Sequence, residues 1–410
     1  MTDVGVEMAR RGHRVLVYTS ARGYENPAIR YPKRQQLQGL EIRRLGLASF
    51  GKGSIFTRIL GTASFMLQCI FLTLTARKLG GILFSTSPPL LGLAPCLARF
   101  VRRVPVAYWV MDLNPDQLIG LGKLTASSPA ARALEAVHRL ILRDSDLIVA
   151  LDRFMAERIN RRGDYAAKML VMPLWPHETH LEDVPREENP FRARHGLGDK
   201  FVVMYSGNHS PANPLDTLLR AVVALKDDDR FRFLFVGGGL GKKGVEAAIR
   251  EHGLTNVLSL PYQSLDQIKY SLSAADLHVV SLGNEMVGVV HPCKIYGAMA
   301  VGRPVLFLGP HPSHIADLLD IHDIGLTVAH GDVEACVAAL HSFVAMPPAE
   351  LAARGHRARQ ALEVSLSQSQ LRARFCDALE QALRLPRTPR NMALVMPTGA
   401  VAGRGKVLGR

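Results

Sequence analysis

Residues 285–307 read EMVGVVHPCKIYGAMAVGRPVLF, and this stretch predicts a loop, a short helix, a turn and a strand in that order. Pro292 presets the backbone angle favoured at the first position of a helix, and Gly302 favours a helix end. The apolar run 305–308 then predicts a buried strand. Strand and helix signals alternate in this way along the chain, which favours parallel sheets with crossover helices.

Lys294 lies in the first turn of the predicted helix, where acidic side chains are the usual choice. Backbone N–H groups at a helix N-terminus bind anions, and a lysine there would add a full positive charge. An ordinary solvated lysine is the alternative, and this segment alone leaves both interpretations open. The choice depends on what the rest of the chain contributes to the same site.

The composition indicates a folded protein in a reducing compartment. The chain has 410 residues, of which 48% are hydrophobic and 21% charged, enough for two domains of ordinary size. Its five cysteines are scattered and form no Cys-x-x-Cys pair, so the sequence predicts neither a disulfide framework nor a zinc site. The first residues, MTDVGVEMARRGHR, lack the apolar core of a signal peptide. We therefore expect a cytoplasmic protein.

Positive charge is concentrated near the beginning of the chain. The net charge is +14, and the first hundred residues hold 14 Lys and Arg against 4 Asp and Glu. No helix-turn-helix, zinc finger or mixed aromatic and basic pattern indicates nucleic acid as a partner. We expect an anionic membrane surface instead, on the inner face of the plasma membrane, contacted through a basic run of Arg30, Lys33, Arg34, Arg43, Arg44, Lys52 and Arg58.

The basic run leads into residues 59–76, which carry no charged side chain. The length is at the lower limit for a membrane span, and Gln68 and several hydroxyl side chains make it a weak one. Three interpretations remain open: a buried or half-buried helix, a helix lying in the membrane interface, and a span.

Eleven segments carry the signal of a buried strand, and a Pro-rich, charged stretch separates the fifth from the sixth. Strands are predicted at residues 14–19, 81–85, 105–110, 146–150, 168–172, 201–206, 231–236, 257–260, 276–281, 304–308 and 324–328. The economical architecture is an α/β fold of two doubly wound, Rossmann-like domains that face a cleft, with ligand at the carboxyl ends of the strands. The predicted parts are a first domain at 1–175, a linker at 176–195, a second domain at 196–365, a C-terminal helix at 366–386 and a disordered tail at 387–410.

Three loops of the second domain leave strand ends and are expected to converge. The first, 206–219, contains Gly207, which permits a close backbone approach. The second, VGGGLGKKG at 236–244, lacks the Gly-Lys-Ser/Thr of a Walker A loop, and taken alone it is more simply a strand-to-helix turn. Together with the loop around Lys294, they predict a site for a nucleoside diphosphate.

These motifs, in this order and spacing, resemble the nucleotide-sugar domain of the retaining family 4 glycosyltransferases, which have the GT-B fold. The similar segments are YSGN at 205–208, PLDTLLRA at 214–221, FLFVGGG at 233–239, LPYQSLDQIKYSLSAADLHVVSL at 260–282 and HPCKIYGAMAVGRPVLF at 291–307. The likeness extends to the first domain, where GHRVLVYT at 12–19 looks like the family's G-H-x-V-x-V-x-T. SPPLLGL at 87–93 and MDLNPD at 111–116 look like its acceptor-domain loops. The likeness covers residues 1–385 and is greatest to bacterial enzymes that build surface polysaccharide on a lipid carrier.

The resemblance implies roles for individual residues. Lys294 and Asp112 are the implied catalytic residues, Asp112 because it keeps the acidic member of a His-Asp pair that here reads Met111-Asp112. The implied donor-binding residues are Gly207, Asn208, His209, Gly237, Gly238, Tyr262, His291, Pro292, Cys293 and Gly297. No metal or other cofactor is implied, because enzymes of this fold generally need no catalytic metal. The cleft loops also contain four histidines (His209, His291, His311 and His314), and we do not expect them to hold a metal.

The chain departs from the family pattern at two pairs of positions. The family usually has two glutamates eight residues apart, but Val289 and Gly297 occupy those positions here. Many members bind the diphosphate with an Arg and a Lys where this chain has Asn208 and Asn213. With those cations absent, Lys294 is the best remaining cation for the leaving diphosphate.

The resemblance therefore implies a retaining glycosyltransferase of the hexosyl or N-acetylhexosaminyl type. It would move a sugar from a nucleoside-diphosphate sugar, with UDP expected, to a lipid-linked or saccharide acceptor in surface polysaccharide synthesis. The missing glutamates favour a second possibility, a catalytically inactive partner or truncated form with the same fold. A sugar-nucleotide epimerase of the same architecture is a third.

A doubly wound domain normally begins with a central strand and a glycine-bearing loop, yet residues 2–11 already predict the helix that should follow them. Without that strand, two inner strand edges would lack ladder partners, at roughly 1–3 kcal/mol for each unpaired buried group. We therefore expect Met1 to be a misassigned start or a real truncation, and this form to be inactive or poorly folded.

Overall fold

The computed structural model divides the chain into two compact units. It describes residues 1–23, 29–46, 55–87, 90–175, 181–385 and 391–395. The first unit comprises Met1–Pro173 together with Ser369–Arg410, and the second comprises Leu174–Gln368. The chain thus returns to the first unit after it has completed the second.

The first seven strands and six helices belong to the first unit. The strands are β1 (Arg14–Ser20), β2 (Arg34–Leu37), β3 (Leu40–Leu45), β4 (Leu79–Ser85), β5 (Val106–Trp109), β6 (Leu147–Ala150) and β7 (Met169–Val171). The helices are α1 (Thr2–Arg10), α2 (Ile55–Thr75), α3 (Leu93–Arg102), α4 (Asp116–Gly120), α5 (Pro129–Asp144) and α6 (Arg153–Asn160). Two of these helices begin at side-chain caps, where Ser128 and Asp152 accept hydrogen bonds from backbone N–H groups of the first turn.

The second unit contains one six-stranded parallel sheet with the order β10-β9-β8-β11-β12-β13. Its strands are β8 (Phe201–Ser206), β9 (Phe231–Val236), β10 (Val257–Leu260), β11 (Leu277–Ser281), β12 (Val305–Leu308) and β13 (Gly325–Val328). Its helices are α7 (Pro190–Arg194), α8 (Asp216–Ala224), α9 (Lys242–His252), α10 (Ile268–Ser273), α11 (Lys294–Ala300), α12 (His314–His322), α13 (Val333–Ala345) and α14 (Pro348–Val364). The described residues also include three 3-10 turns, at Ala166–Lys168, Arg186–Glu188 and Asn284–Met286.

All eleven predicted strands are present, and the continuous apolar runs in them have a simple cause. Val203 and Tyr205 of β8 pack into one hydrophobic cluster, whereas Val202 and Met204 pack into another on the opposite side of the sheet. A strand that is buried on both faces needs apolar side chains at successive positions. The predicted α/β class with doubly wound sheets is confirmed.

The antiparallel hairpin of β2 and β3 was not predicted, because its charged side chains look like those of a surface loop. The turn falls at Gly39, which has a φ of +84°. Arg44 is buried and donates to the Pro32 carbonyl oxygen at 3.0 Å and to Gln35 Oε1 at 2.7 Å. Part of the predicted basic run is therefore used inside the first unit.

The last described strand, β14 (Asn391–Val395), fills the slot that was expected to be open. The sheet of the first unit has the order β2-β3-β1-β14-β4-β5-β6-β7, and β14 is parallel to both of its neighbours. Leu394 is buried between Val17 of β1 and Leu83 of β4. The chain does begin with the predicted helix, α1, but the prediction of two unpaired inner edges was wrong.

The prediction of a disordered tail at 387–410 was also wrong for Asn391–Val395, and the other residues of that tail lie outside the described part of the chain. A poorly folded form was expected because two strand edges would be unpaired, and β14 pairs both of them. The expectation about the start of the chain stays a prediction.

Helix α15 (Gln368–Ala382) leads the chain back to the first unit and is bound to it by charged and apolar contacts. Arg11 donates to Asp377 Oδ1 at 2.6 Å and to Glu380 Oε2 at 3.0 Å. A Cβ added to Gly81 of β4 would lie 2.8 Å from Leu383 Cδ1, so the absence of a side chain at Gly81 makes room for Leu383. The predicted C-terminal helix at 366–386 thus packs on the first unit.

Helix α2 is half-buried, which is the first of the three interpretations of residues 59–76. Phe65, Cys69 and Thr73 are buried on one side, whereas Leu67 and Phe71 are exposed on the other. In the part of the chain that the structure describes, no single helix has both the length and the apolar character of a membrane span. The bent pair Val333–Ala345 and Pro348–Ala382 meets that test only when the two are taken together.

Candidate active site

The candidate site lies in the second unit, at the carboxyl edge of its sheet. Three loops leave this edge: 207–215 after β8, 237–241 after β9 and 282–293 after β11. β8 lies between β9 and β11, so the three loops start side by side. Their parallel strands end at one edge, and ligands of doubly wound sheets bind where the connections diverge.

Glycines allow the first two loops to touch through their backbones. Gly207 and Gly237 have backbone φ values of +131° and +125°, which residues other than glycine rarely adopt. A Cβ added to Gly237 would lie 2.1 Å from the Gly207 carbonyl oxygen. The His209 N–H donates to the Gly238 carbonyl at 2.8 Å and joins the loops further. The Gly-rich stretch is therefore a packing device as well as a turn.

Lys294 lies where the loops meet, and it is not an ordinary solvated lysine. The ammonium Nζ donates to Asn213 Oδ1 at 2.9 Å and lies 5.4 Å from the centre of the Tyr205 ring. A Cβ added to Gly207 would be 2.8 Å from Lys294 Cε, so the lysine stem runs directly along the first loop. Burial lowers the pKa of the Lys294 ammonium to about 8.

Among the described residues, the Lys294 ammonium bonds one side chain, the neutral amide of Asn213, and it forms no ion pair with a carboxylate. The segment that carries Asn213 is fixed to β11, since the Gly283 N–H donates to the Ala212 carbonyl at 2.9 Å and Ser281 Oγ donates to the Pro214 carbonyl at 2.5 Å. The positive charge of Lys294 is thus held in place without being neutralised. Sequence reasoning noted Asn213 only as a missing cation and missed this contact.

Asn208 and Tyr262 border the same loops and are exposed. A Cβ added to Gly239 would lie 2.3 Å from Asn208 Oδ1, which places Asn208 against the second loop. The Tyr262 hydroxyl donates to the Gly238 carbonyl at 3.2 Å. The structure therefore brings Gly207, Asn208, Gly237, Gly238, Tyr262 and Lys294 together.

His209 does not present its side chain to a ligand in this arrangement. It is fully buried, its Nδ1 lies 3.1 Å from the Gly207 carbonyl oxygen, and its ring meets Tyr205 edge-on at 4.8 Å. Burial lowers the pKa of His209 to about 4, so the ring is neutral near pH 7. The ring therefore shapes the first loop from inside, and the donor contact of His209 stays a prediction.

Residues 291–293 form the end of the third loop, and the helix starts later than predicted. Cys293 is the N-cap of α11, so Pro292 precedes the helix instead of opening it. The His291 imidazole lies 2.7 Å from the Tyr296 hydroxyl, and Cys293 is exposed. His291 and Cys293 therefore border the site, while Pro292 is buried.

Gly297 lies inside the second unit, away from the exposed part of the loops. It is buried in α11, and a Cβ there would lie 3.3 Å from Leu272 Cδ1. Val289, at the other position where the family has a glutamate, is fully buried. The predicted role of Gly297 in donor binding is thus not reflected in its position, because the residue packs against the core.

The lysine of the Gly-rich loop is engaged by backbone. Lys242 Nζ donates to the Phe235 carbonyl at 2.6 Å and to the Leu260 carbonyl at 2.7 Å. Lys242 therefore links the ends of β9 and β10. This contact explains why a lysine follows the glycines although the Walker A pattern is absent.

The four histidines of the predicted loops do not form one cluster. His291 and His314 have ring centres 4.6 Å apart, whereas His311 pairs with Asp320 at 2.8 Å and His209 is buried elsewhere. Among the residues that the structure describes, no group of three or more His, Cys, Asp or Glu side chains is placed to hold a metal ion.

Asp112 belongs to the first unit, just beyond the carboxyl end of β5. It is half-buried, and desolvation raises the pKa of its carboxyl group. A carboxyl group in such a place can accept a hydrogen bond from a ligand hydroxyl at the carboxyl edge of the first sheet.

Comparison with known proteins identifies both halves of the chain. The glycosyl transferase 4-like domain matches residues 1–175, and the glycosyl transferases group 1 domain matches residues 187–361. The chain is 26% identical over 254 residues to WbjE of Pseudomonas aeruginosa, named as a probable glycosyltransferase, which covers 62% of this chain and 63% of that protein. It is 25% identical over 366 residues to WcaI of Escherichia coli K12, named as a colanic acid biosynthesis glycosyl transferase, which covers 86% of this chain and 89% of WcaI.

The fold is similar to that of HepE from Anabaena, whose structure contains UDP and glucose. The TM-score is 0.68 at 15% identity, over 90% of this chain and 100% of HepE. The two domain matches and the two doubly wound units agree with each other in position. This chain therefore belongs to the GT-B-fold glycosyltransferases that combine a glycosyl transferase 4-like domain with a group 1 domain.

Proposed function

We propose that this glycosyltransferase transfers a sugar from a nucleoside-diphosphate sugar, with UDP as the nucleotide, and retains the anomeric configuration. The acceptor is a lipid-linked or saccharide molecule in surface polysaccharide synthesis. The name of WcaI supports the polysaccharide role, and the UDP and glucose bound to HepE support the donor class. The observation that carries the proposal is the half-buried Lys294 ammonium at the junction of the three loops.

Lys294 would act on the charge that develops when the sugar leaves the diphosphate. The leaving diphosphate gains negative charge in the transition state, and a fixed cation in a partly desolvated place stabilises that charge more than one in water. Asn213 holds the ammonium through an amide oxygen and leaves its charge available. In the first unit, we assign Asp112 to the acceptor, where its carboxylate would accept a hydrogen bond from the attacking hydroxyl.

The test is release of UDP by the purified protein from a panel of UDP-sugars, with and without acceptor. Lys294→Ala is expected to lower the turnover number at saturating donor by about a hundredfold, equivalent to roughly 3 kcal/mol of barrier. The matched control is Lys226→Ala, which removes an exposed lysine just after α8 and should leave turnover unchanged. Equal turnover by Lys294→Ala and the parent protein, with equal thermal stability, would contradict the proposed role.

A second candidate function is a catalytically inactive partner, and the positions of the missing glutamates favour it. Val289 is fully buried and Gly297 packs on Leu272, so neither place offers a carboxylate to the donor. Such a protein would bind UDP without releasing it from a UDP-sugar in any condition. A sugar-nucleotide epimerase would interconvert donor sugars without UDP release. UDP release therefore separates the transferase from both alternatives, and analysis of the donor sugar after incubation separates the epimerase from the inactive partner.

We further propose that the enzyme works in the cytoplasm at the inner face of the plasma membrane and needs no metal or other cofactor. The positive charge of the first hundred residues supports the location. The metal-free reaction has a direct test, in which EDTA should leave the rate of UDP release unchanged. Loss of the rate on chelation and its return with Mg²⁺ or Mn²⁺ would contradict it.

A further inference from the structure

Helices α2 and α3 of the first unit carry an exposed apolar surface. Six large apolar side chains are exposed, and we call them the α2–α3 face: Leu60, Leu67 and Phe71 on α2, and Leu97, Phe100 and Val101 on α3. Their spacings of three, four and seven positions keep each set on one side of its helix. The exposed fraction is 67% for Phe71 and 84% for Phe100. Grouped exposed side chains of this kind mark an interaction surface.

The face is carried by a fixed pair of helices. The opposite sides are packed inside the unit, with Phe65 and Cys69 of α2 and Ala98 of α3 fully or almost fully buried. The two helices pack against each other, and Arg102 Nη1 donates to the Thr73 carbonyl oxygen at 2.6 Å. The exposed side chains therefore project from a stable support.

Residues 42–111, which include α2 and α3, carry charged side chains of a single sign. Between Glu41 and Asp112 the sequence has no acidic residue, while it has nine Lys and Arg residues. A pocket of about 530 Å³ adjoins the end of α3, and its lining includes four arginines, Arg99, Arg102, Arg103 and Arg384. Its one acidic lining residue, Asp146, is already paired with Arg99. Among the described residues, the other three arginines form no ion pair with a carboxylate.

We infer that the α2–α3 face lies on an anionic lipid bilayer. The apolar side chains enter the boundary between headgroups and acyl chains, and the arginine pocket receives lipid phosphates. This inference deepens the proposed function and rests on it, since an enzyme with a lipid-linked acceptor must reach that acceptor at the bilayer. The contact differs from the basic run that the sequence suggested, because Arg43 is bonded to Glu41 and Arg44 is buried in the hairpin.

Charge decides between a bilayer and a second copy of the chain as the occupant. If two copies met through this face, arginine pockets of the same sign would be brought together, and like charges at an interface oppose association. An anionic bilayer complements both properties of the surface, the apolar side chains and the positive charge of the arginines.

The experiment is co-sedimentation of the purified protein with vesicles, without sugar nucleotide or acceptor. Vesicles of mixed phosphatidylglycerol and phosphatidylcholine should bind the protein, and vesicles of phosphatidylcholine alone should bind it weakly. Phe71→Ser combined with Phe100→Ser should weaken binding about tenfold. Arg103→Gln combined with Arg384→Gln should weaken it about fivefold for each charge removed. Salt near 1 M, where the Debye length is about 3 Å, should abolish the difference between the arginine variant and the parent protein.

The matched control removes exposed apolar side chains from the second unit. Leu265→Ser combined with Ile321→Ser changes residues that are 74% and 73% exposed, and it should leave vesicle binding unchanged. Circular dichroism and thermal unfolding verify that each variant is folded. Equal binding of the phenylalanine variant and the parent protein would overturn the inference. So would a change from dimer to monomer in that variant without a change in vesicle binding, which would make the face a contact between copies.

The vesicle assay and the transfer assay fail independently. If the parent protein releases UDP with a soluble acceptor but does not bind anionic vesicles, the inference is wrong and the proposed function stands. If it binds vesicles through the α2–α3 face but releases no UDP, the surface is supported and the proposed activity is not.

Discussion

The two units have the same kind of sheet, but they obtain it from the chain in different ways. The second unit is one continuous stretch, Leu174–Gln368, and each of its six strands was predicted from local apolar runs. The first unit takes its central strand, β14, from residues near the other end of the sequence. A strand is a local property of the sequence, whereas the completeness of a sheet depends on segments that lie far apart in it.

The largest expected effect comes from removing β14. Deletion of residues 391–410 would leave the inner edges of β1 and β4 unpaired, at roughly 1–3 kcal/mol for each buried backbone group. A few such groups equal the total stability of a domain, about 5–15 kcal/mol. We expect the first unit to unfold while the second keeps its own transition, which calorimetry and amide exchange in β1 and β4 will measure.

A point substitution separates the strand from the rest of the tail. Leu394→Asp would place a carboxylate in the buried centre of the sheet and should also unfold the first unit. The matched control is Leu240→Asp, at a residue that is 70% exposed in the second unit, and it should change stability little. Unchanged protection of β1 and β4 in Leu394→Asp would show that another segment pairs with them.

The next largest effect is expected on the stability of the second unit. Gly237→Ala requires a side chain at a φ of +125°, with its Cβ 2.1 Å from the Gly207 carbonyl oxygen, so the two loops must separate. We expect a loss of about 1–3 kcal/mol in the stability of the second unit and weaker UDP binding. Gly244→Ala in α9 is the control, because a Cβ there meets nothing within 4 Å. Alanine in a helix should even stabilise the second unit by about 0.5–1 kcal/mol. Denaturant unfolding and UDP titration check both, and equal results for the two variants would contradict the packing role of Gly237.

A smaller effect concerns the charge of Lys294 and its pH dependence. Burial lowers the pKa of this ammonium to about 8, so in the free enzyme the cation is lost as the pH rises through that value. UDP affinity should therefore decrease above pH 8, where the uncharged amine no longer attracts the diphosphate.

Asn213→Asp would test the charge of Lys294 by changing the residue that accepts its hydrogen bond. A carboxylate 2.9 Å from Lys294 should raise the pKa of the ammonium and move the decrease in affinity to higher pH. The new carboxylate should also lower UDP affinity at pH 7 by about tenfold, because it neutralises the cation and repels the diphosphate. Calorimetric titration with UDP between pH 6.5 and 9.5 measures both. An affinity that does not change with pH in the parent protein would indicate that Lys294 does not contact the diphosphate.

The sequence predicted more of the fold than of the site, and the reasons differ. Strands buried on both faces are visible as apolar runs, so eleven of them could be located. β2 and β3 were missed because Arg44 is buried through hydrogen bonds, which composition does not reveal. β14 was missed because the tail was judged by its lack of periodicity beyond Arg387, and its two neighbouring strands are distant in sequence.

At the site, the loops and Lys294 were predicted from motifs, but side-chain direction was not. His209 and Gly297 occupy motif positions, yet the His209 ring is buried inside the unit and Gly297 packs against Leu272. Residues one position apart can point to opposite sides of the same loop or helix. Motif spacing therefore predicted which loops lie together, and which of their residues contact a ligand stays a prediction.

The smallest expected effect on stability comes from removing an ion pair between α15 and the rest of the first unit. Arg11 bonds both Asp377 and Glu380, but Asp377 is exposed, and exposed ion pairs contribute roughly 0–1 kcal/mol. Asp377→Asn should therefore lower the stability of the first unit by about 0.5 kcal/mol at most, with a still smaller change at high salt. Leu383→Ala should cost about 2–4 kcal/mol, since Leu383 is buried against Gly81. Denaturant unfolding of both variants at low and high salt makes the comparison. If Asp377→Asn were the more destabilising of the two, ion pairs and not apolar packing would hold the end of the chain on the first unit.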